Sequence, residues 1–187
     1  MTRVLVVCSG NTCRSPTLQL LLEYRQSQLG IQTISFESAG ARVNSDWGEP
    51  IGNEGKRALD FAARYLESHG PAPTDVGGAT RAEKLRASAE AHRSRSVDGV
   101  PHPQTVDRVI YFERKHRRWV TSRWPDLALK QHSVLHFGDW AWLIKSVTFG
   151  TCRPVTELAY RIQAHALARR AIDFFKLVTN DVVWRPK

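Results

Sequence analysis

Four consecutive apolar residues, Val4-Leu5-Val6-Val7, run directly into Cys8-Ser9-Gly10-Asn11-Thr12-Cys13-Arg14-Ser15-Pro16, and this stretch constrains the chain more than any other. The apolar run is short and does not alternate with polar residues, as a strand buried on both faces requires. Gly10-Asn11 marks a tight loop. Pro16 suits the first turn of a helix, where a missing N–H costs nothing, and Leu18, Leu21 and Leu22 continue at helical spacing. A strand, a tight loop and a helix in this order aim several backbone N–H groups and the positive end of the helix dipole at one point. That point is an anion site.

Cys8 opens the loop and Arg14 follows after five intervening residues. A thiol beside a helix N-terminus and an arginine ionises readily, and a thiolate is a nucleophile. The loop N–H groups and the guanidinium fork suit the oxygens of a phosphoryl group. Attack at phosphorus would give a phosphocysteine that water resolves, with catalysis resting on positioning and preorganised charge. A merely structural cysteine between a buried strand and a capped helix would need neither Arg14 nor the Gly10-Asn11 pair.

Val7 to Pro16 resembles the signature of the low-molecular-weight protein tyrosine phosphatase family, and Ser38-Ala39-Gly40 stands where that family has the same tripeptide. The resemblance implies an α/β fold: a three-layer sandwich with a four-stranded parallel sheet, order 2-1-3-4, and helices on both faces. It puts the phosphate loop at the C-terminal edge of the first strand, where open α/β sheets bind ligands. It implies a phosphatase without metal or cofactor. The nucleophile would be Cys8 and the phosphate clamp Arg14. Ser9, Gly10, Asn11, Thr12, Cys13 and Ser15 would line the phosphate site, with Ser15 bonded to the thiolate.

The family pins its loop asparagine with a serine and a histidine, and Ser38 and His92 stand at the matching places. Trp47 matches a bulky residue at the cleft mouth and could stack on substrate. The favoured substrate is a phosphotyrosine-like phosphoprotein. A small phosphorylated metabolite, phosphoarginine and non-catalytic phosphate binding are the alternatives. Among close relatives a threonine at Thr12 accompanies phosphoarginine specificity.

One departure stands out. The family carries an Asp-Pro pair shortly before its final helix, whose acid protonates the leaving oxygen and later activates water. The matching positions here read Val147-Thr148, and neither side chain moves a proton at neutral pH. Asp139 is the nearest carboxylate that could substitute, ahead of Glu49, Asp46 and Glu157; it could equally be a turn aspartate.

The 187 residues are enough for one domain with a substantial core, and we read residues 1–187 as a single one. The net charge of +9 could serve nucleic acid. Its clusters, Arg93-Ser94-Arg95, Arg114-Lys115-His116-Arg117-Arg118 and Arg169-Arg170, are scattered and carry no nucleic-acid signature. A phosphorylated substrate is therefore the expected partner. No apolar run approaches the ~18 residues of a membrane span, and the N-terminus lacks a signal-peptide pattern. Three cysteines, Cys8, Cys13 and Cys152, cannot all pair within one chain, which points to a reducing cytoplasm. A Cys8–Cys13 disulfide could shield the thiolate from over-oxidation, or Cys13 could be a small filler.

Further along, periodicity predicts a helix from 15 to about 29, a strand at Thr33–Phe36 and a helix over about 54–69. Residues 70–105 read as an insertion-like excursion, either a substrate cover or a solvated surface segment, with a helix from Thr80 to about Arg93. A strand at Val106–Phe112, a helix over about 114–123, a strand at Ser133–Phe137 and a final helix over 154–178 complete the pattern. In that last helix Val155, Leu158, Ala159, Ile162 and Ala166 face inward. Strands alternating with helices argue for a parallel sheet.

Overall fold

The computed structural model describes residues 1–41, 48–68, 81–133, 162, 165–169 and 171–175. Its centre is β1 (Thr2–Cys8), in which Val4 to Val7 are completely buried. The unalternated apolar run is explained by this position: β1 has a strand on each side and a core on each face.

β2 (Ile34–Gly40) pairs in parallel with β1, in a register that runs from Thr2 opposite Ile34 to Cys8 opposite Gly40. On the other side β1 pairs in parallel with β3 (Arg108–Tyr111), which pairs in parallel with β4 (Gln131–Ser133). The order is β2-β1-β3-β4. Every sequential connection therefore joins parallel strands and must cross over a sheet face, which is where the helices lie.

Side chains of β1 alternate between two cores. Val4, Val6 and Cys8 join Leu18, Leu21 and Leu22 of α1 (Arg14–Leu29), Leu59, Ala62 and Leu66 of α2 (Asn53–Ser68), and the helical residues Ala171, Phe174 and Phe175. Leu5 and Val7 point the other way, to Val97, Val100, Val106 and Val120. Val120 lies on α4 (Arg114–Arg123). Gly30 ends α1 at φ 66°, its N–H reaching the carbonyls of Gln26 and Ser27, a left-handed cap that glycine adopts without strain.

Boundaries shift in places. The third strand is shorter than the apolar run, because Val106 still belongs to the exit of the 3₁₀ turn Pro103–Thr105, where its N–H bonds the Pro103 carbonyl. The fourth strand begins at Gln131, two residues early, and residues 134–137 of the expected strand lie outside the described residues. Ile162, expected to face inward, is 43% exposed, and Leu29 at the end of the first helix is 37% exposed. Leu29 closes α1 beside its glycine cap, and Ile162 precedes the buried run that begins at Ala166.

Half of the polar excursion is well packed. After α3 (Arg81–Ala91) the chain returns along the sheet, with Gly40 bridging Ser96 and with Val97, Val100 and Val106 buried in the second core. Glu37 on β2 takes Arg3 on one oxygen at 2.5 Å and Arg95 on the other at 2.7 Å, tying the returning segment to the strand.

Candidate active site

β1 and α1 meet at the loop from Cys8 to Cys13, and the φ of Asn11 is 54°. This left-handed turn reverses the chain. Asparagine is one of the few non-glycine residues that adopts it at modest cost. Gly10, by contrast, has an ordinary φ, and an added Cβ there would meet only the Thr12 hydroxyl at 3.6 Å.

Asn11 is fully buried, and its polar atoms are engaged from three directions. Its amide donates to Ser15 Oγ at 3.0 Å and to Ser38 Oγ at 2.8 Å. Its Oδ1 accepts the Arg95 N–H at 3.0 Å, and its carbonyl oxygen lies 2.9 Å from His92 Nε2. Burial first, helped by the charges of Arg95 and Arg93, pushes the His92 ring below the ordinary histidine range; its hydrogen bond to the Asn11 carbonyl works the other way. His92 is therefore neutral at pH 7, with the Nε2 proton donated to that carbonyl. Gly52 N–H adds a bond to the Thr12 carbonyl at 2.8 Å, joining the start of α2 to the loop.

Inside this frame Cys8 is 3% exposed, and its Sγ lies 3.0 Å from Ser15 Oγ. Because Ser15 Oγ already accepts from Asn11, its own proton is free to point at sulfur or at the Ala39 carbonyl, 3.4 Å away. Cys8 and Cys13 are not joined to each other by a disulfide. Arg14 projects from the first turn of α1. Its Nη1 bonds Glu113 Oε1 at 2.5 Å, its Nη2 approaches Ser9 Oγ at 3.5 Å, and its guanidinium lies over the Phe112 ring at 5.7 Å. Burial alone would raise the Glu113 carboxyl, but hydrogen bonds from Lys115 and Arg14 outweigh it and hold the group below its ordinary value. Glu113 is thus a carboxylate that aims Arg14, not a proton donor.

The structure brings together Cys8, Ser9, Asn11, Arg14 and Ser15, and adds Ser38 and His92 as the expected pins. Glu49 is exposed, with its backbone tied to Ser94. Trp47, Asp139, Asp46, Glu157, Val147, Thr148 and Cys152 lie outside the described residues. Sequence reasoning missed Arg95, Glu113 and His116. Glu113 could have been sought as the first carboxylate after β3, at the same sheet edge as the loop.

A buried cysteine at the C-terminal end of a parallel strand, beside a helix-borne arginine and a left-handed asparagine turn, is an arrangement that can hold an anion such as a phosphoryl group against a sulfur nucleophile. Residues 3–74 match the family model for low molecular weight phosphotyrosine protein phosphatase. None of the curated proteins matches the chain. Among solved structures the fold resembles the YwlE arginine phosphatase of Geobacillus stearothermophilus, at 22% identity and TM-score 0.60, covering 100% of this chain and 99% of that one. It also resembles the low molecular weight protein tyrosine phosphatase of T. tengcongensis, at 20% and 0.61, covering 94% and 99%. The Bacillus subtilis low molecular weight protein tyrosine phosphatase is similar at 17% and 0.62, covering 97% and 99%. The resemblance read from the sequence is thus met by a family model over residues 3–74 and by likeness in fold along nearly the whole chain. Among the described residues, no helix is long and apolar enough to cross a membrane.

Proposed function

We propose that this protein hydrolyses a phosphomonoester through a phosphocysteine on Cys8, with a phosphotyrosine-like phosphoprotein as the favoured substrate. The observation that carries this reading is the Cys8–Ser15 contact of 3.0 Å within a loop clamped through Asn11. Cys8 attacks phosphorus. The loop from Ser9 to Cys13 supplies backbone N–H groups to the phosphoryl oxygens, and Arg14 supplies its fork. Ser15 donates to sulfur as it leaves in the second step. No metal or cofactor enters this scheme.

The proton for the leaving oxygen we assign to Asp139, with Trp47 at the cleft mouth against the substrate. The lowered Glu113 carboxyl supports this choice by exclusion, because a carboxylate bonded to Arg14 and Lys115 has no proton to give. Asp139→Asn should remove one limb of the pH–rate profile with an alkyl phosphate. An unchanged profile would take Asp139 out of the mechanism.

Phosphoarginine is the second reading. It is favoured by Thr12 in the loop and by likeness in fold to an arginine phosphatase. A phosphoramidate leaving group depends less on a strong acid, which suits a chain with Val147-Thr148 at the acid position.

For the architecture we propose one domain over residues 1–187, in three layers, acting in the cytoplasm. The two separate cores on the faces of β1 support the layered single domain, and the odd count of three cysteines supports a reducing compartment. Vanadate-sensitive hydrolysis of p-nitrophenyl phosphate that disappears in Cys8→Ser is the expected result. Phosphate binding without release from any phosphoester would overturn the enzyme reading in favour of a binder.

A further inference from the structure

His116 is 1% exposed, on the first turn of α4, and it closes a ring of hydrogen bonds with three other residues. The Glu113 backbone N–H donates to its Nδ1 at 3.1 Å. Nδ1 is therefore unprotonated and the ring proton sits on Nε2. That nitrogen is 2.9 Å from Ser9 Oγ, so Nε2–H donates to the hydroxyl. Arg14 Nη2 approaches the same oxygen at 3.5 Å, and Arg14 Nη1 returns to Glu113 Oε1 at 2.5 Å.

The cap of α4 explains only half of this. A side chain three residues into a helix commonly accepts the N-cap N–H, and Nδ1 does so here. The Nε2–H to Ser9 contributes nothing to the helix end. It reaches back to the phosphate loop, across 107 residues of sequence.

Its effect is on Arg14. The bond to Glu113 alone leaves the guanidinium free to swing about Nη1. A second fixed point at Ser9 Oγ sets the plane of the fork. Ser9 can serve as that point only if its hydroxyl is itself held, and the donor from His116 holds it as an acceptor. The remaining N–H groups of Arg14 stay available to an anion.

We propose that His116 is a positioning residue for Arg14, acting through the Ser9 hydroxyl, so that the guanidinium is aimed before substrate arrives. The proposal rests on the phosphatase reading of the cradle.

The test compares wild type with Ser9→Ala, His116→Ala, the double variant and His116→Gln, whose amide can both accept from Glu113 N–H and donate to Ser9. Hydrolysis of p-nitrophenyl phosphate and inhibition by vanadate are measured on each. Each alanine variant should lose about 10- to 100-fold in kcat, as misaligned catalytic groups do, with vanadate inhibition weakened alongside. The double variant should be no worse than the poorer single one, and His116→Gln should stay within about threefold of wild type. Wild-type kcat and vanadate inhibition in Ser9→Ala, or losses that multiply in the double variant, would overturn the proposal. If His116→Ala does not fold, Ser9→Ala and His116→Gln still decide it. Calorimetric titration with inorganic phosphate separates the two readings. Weakened phosphate binding in Ser9→Ala supports the ring even if wild type hydrolyses nothing, whereas active wild type with unchanged Ser9→Ala sinks the ring alone.

Discussion

The side-chain amide of Asn11 lies 2.8 Å from the hydroxyl of Ser38, joining the turn of the phosphate loop to the end of the neighbouring strand. Asn11 is the only loop residue with positive φ, and the bond holds it there. Asn11→Ala removes that bond, strands the Arg95 N–H and leaves an alanine in a left-handed turn. It should cost about 2–4 kcal/mol in urea unfolding, combining an unsatisfied buried donor with backbone strain. Ser38→Ala should cost about 1–2 kcal/mol. The double variant should fall short of the sum, because the two residues share one contact. Strict additivity would mean that the clamp is not cooperative.

His92 makes the clamp sensitive to acid. Its ring is held below the ordinary value of about 6.5, so the unfolded chain binds more protons than the folded one as pH falls through that range. The contribution of His92 to stability is thus present above about pH 6.5 and lost as pH drops toward its folded value. Unfolding free energies measured from pH 8 to 5 should show this loss in wild type and a flatter curve in His92→Gln, which keeps a donor for the Asn11 carbonyl. Parallel curves would show that another group carries the acid response.

Much of this was legible in the sequence because the loop combines strict local requirements. A strand buried on both faces must read Val-Leu-Val-Val. A reversal before a helix needs a residue such as Asn11, and an anion site needs Arg14. What escaped was everything brought in from a distance. Arg95 and His116 sit in segments whose local composition is polar and basic, and nothing in their spacing shows that they turn inward. The excursion from 70 to 105 read as a substrate cover or a solvated surface segment for the same reason: Val97 and Val100 are too few to form a pattern, yet each fills the second core. Within the Gly10-Asn11 pair it is Asn11, the residue that tolerates a left-handed backbone, that makes the turn.

Gly55 marks another relationship that no local pattern reveals. A Cβ there would lie 2.6 Å from Ile51 Cγ2, 3.3 Å from the Cys13 Cα and 3.3 Å from Thr17 Oγ1. The glycine lets α2 approach the start of α1, just behind the loop. In an exposed helix Gly→Ala would stabilise, through higher helix propensity. Here Gly55→Ala should destabilise by about 1–3 kcal/mol, the usual cost of overpacking, and should lower kcat by shifting the backbone at Cys13. A rise in melting temperature would refute the close approach.

Ser15 offers the sharpest check on the two-step chemistry. Its hydroxyl accepts from Asn11 and stands 3.0 Å from Cys8 Sγ, so its proton can support the sulfur when the thiolate leaves phosphorus. Loss of this donor burdens the second step more than the first, because leaving-group charge on sulfur develops only there. Ser15→Ala should therefore lower steady-state kcat by about 10²–10³-fold, the range for removing one preorganised donor. In rapid-mixing experiments with p-nitrophenyl phosphate it should release a burst of p-nitrophenol equivalent to one site, followed by slow turnover. Denaturing mass spectrometry during the slow phase should find the added phosphate on the peptide containing Cys8. A slow reaction with no burst would place the role of Ser15 in the first step instead, as a support for the attacking thiolate.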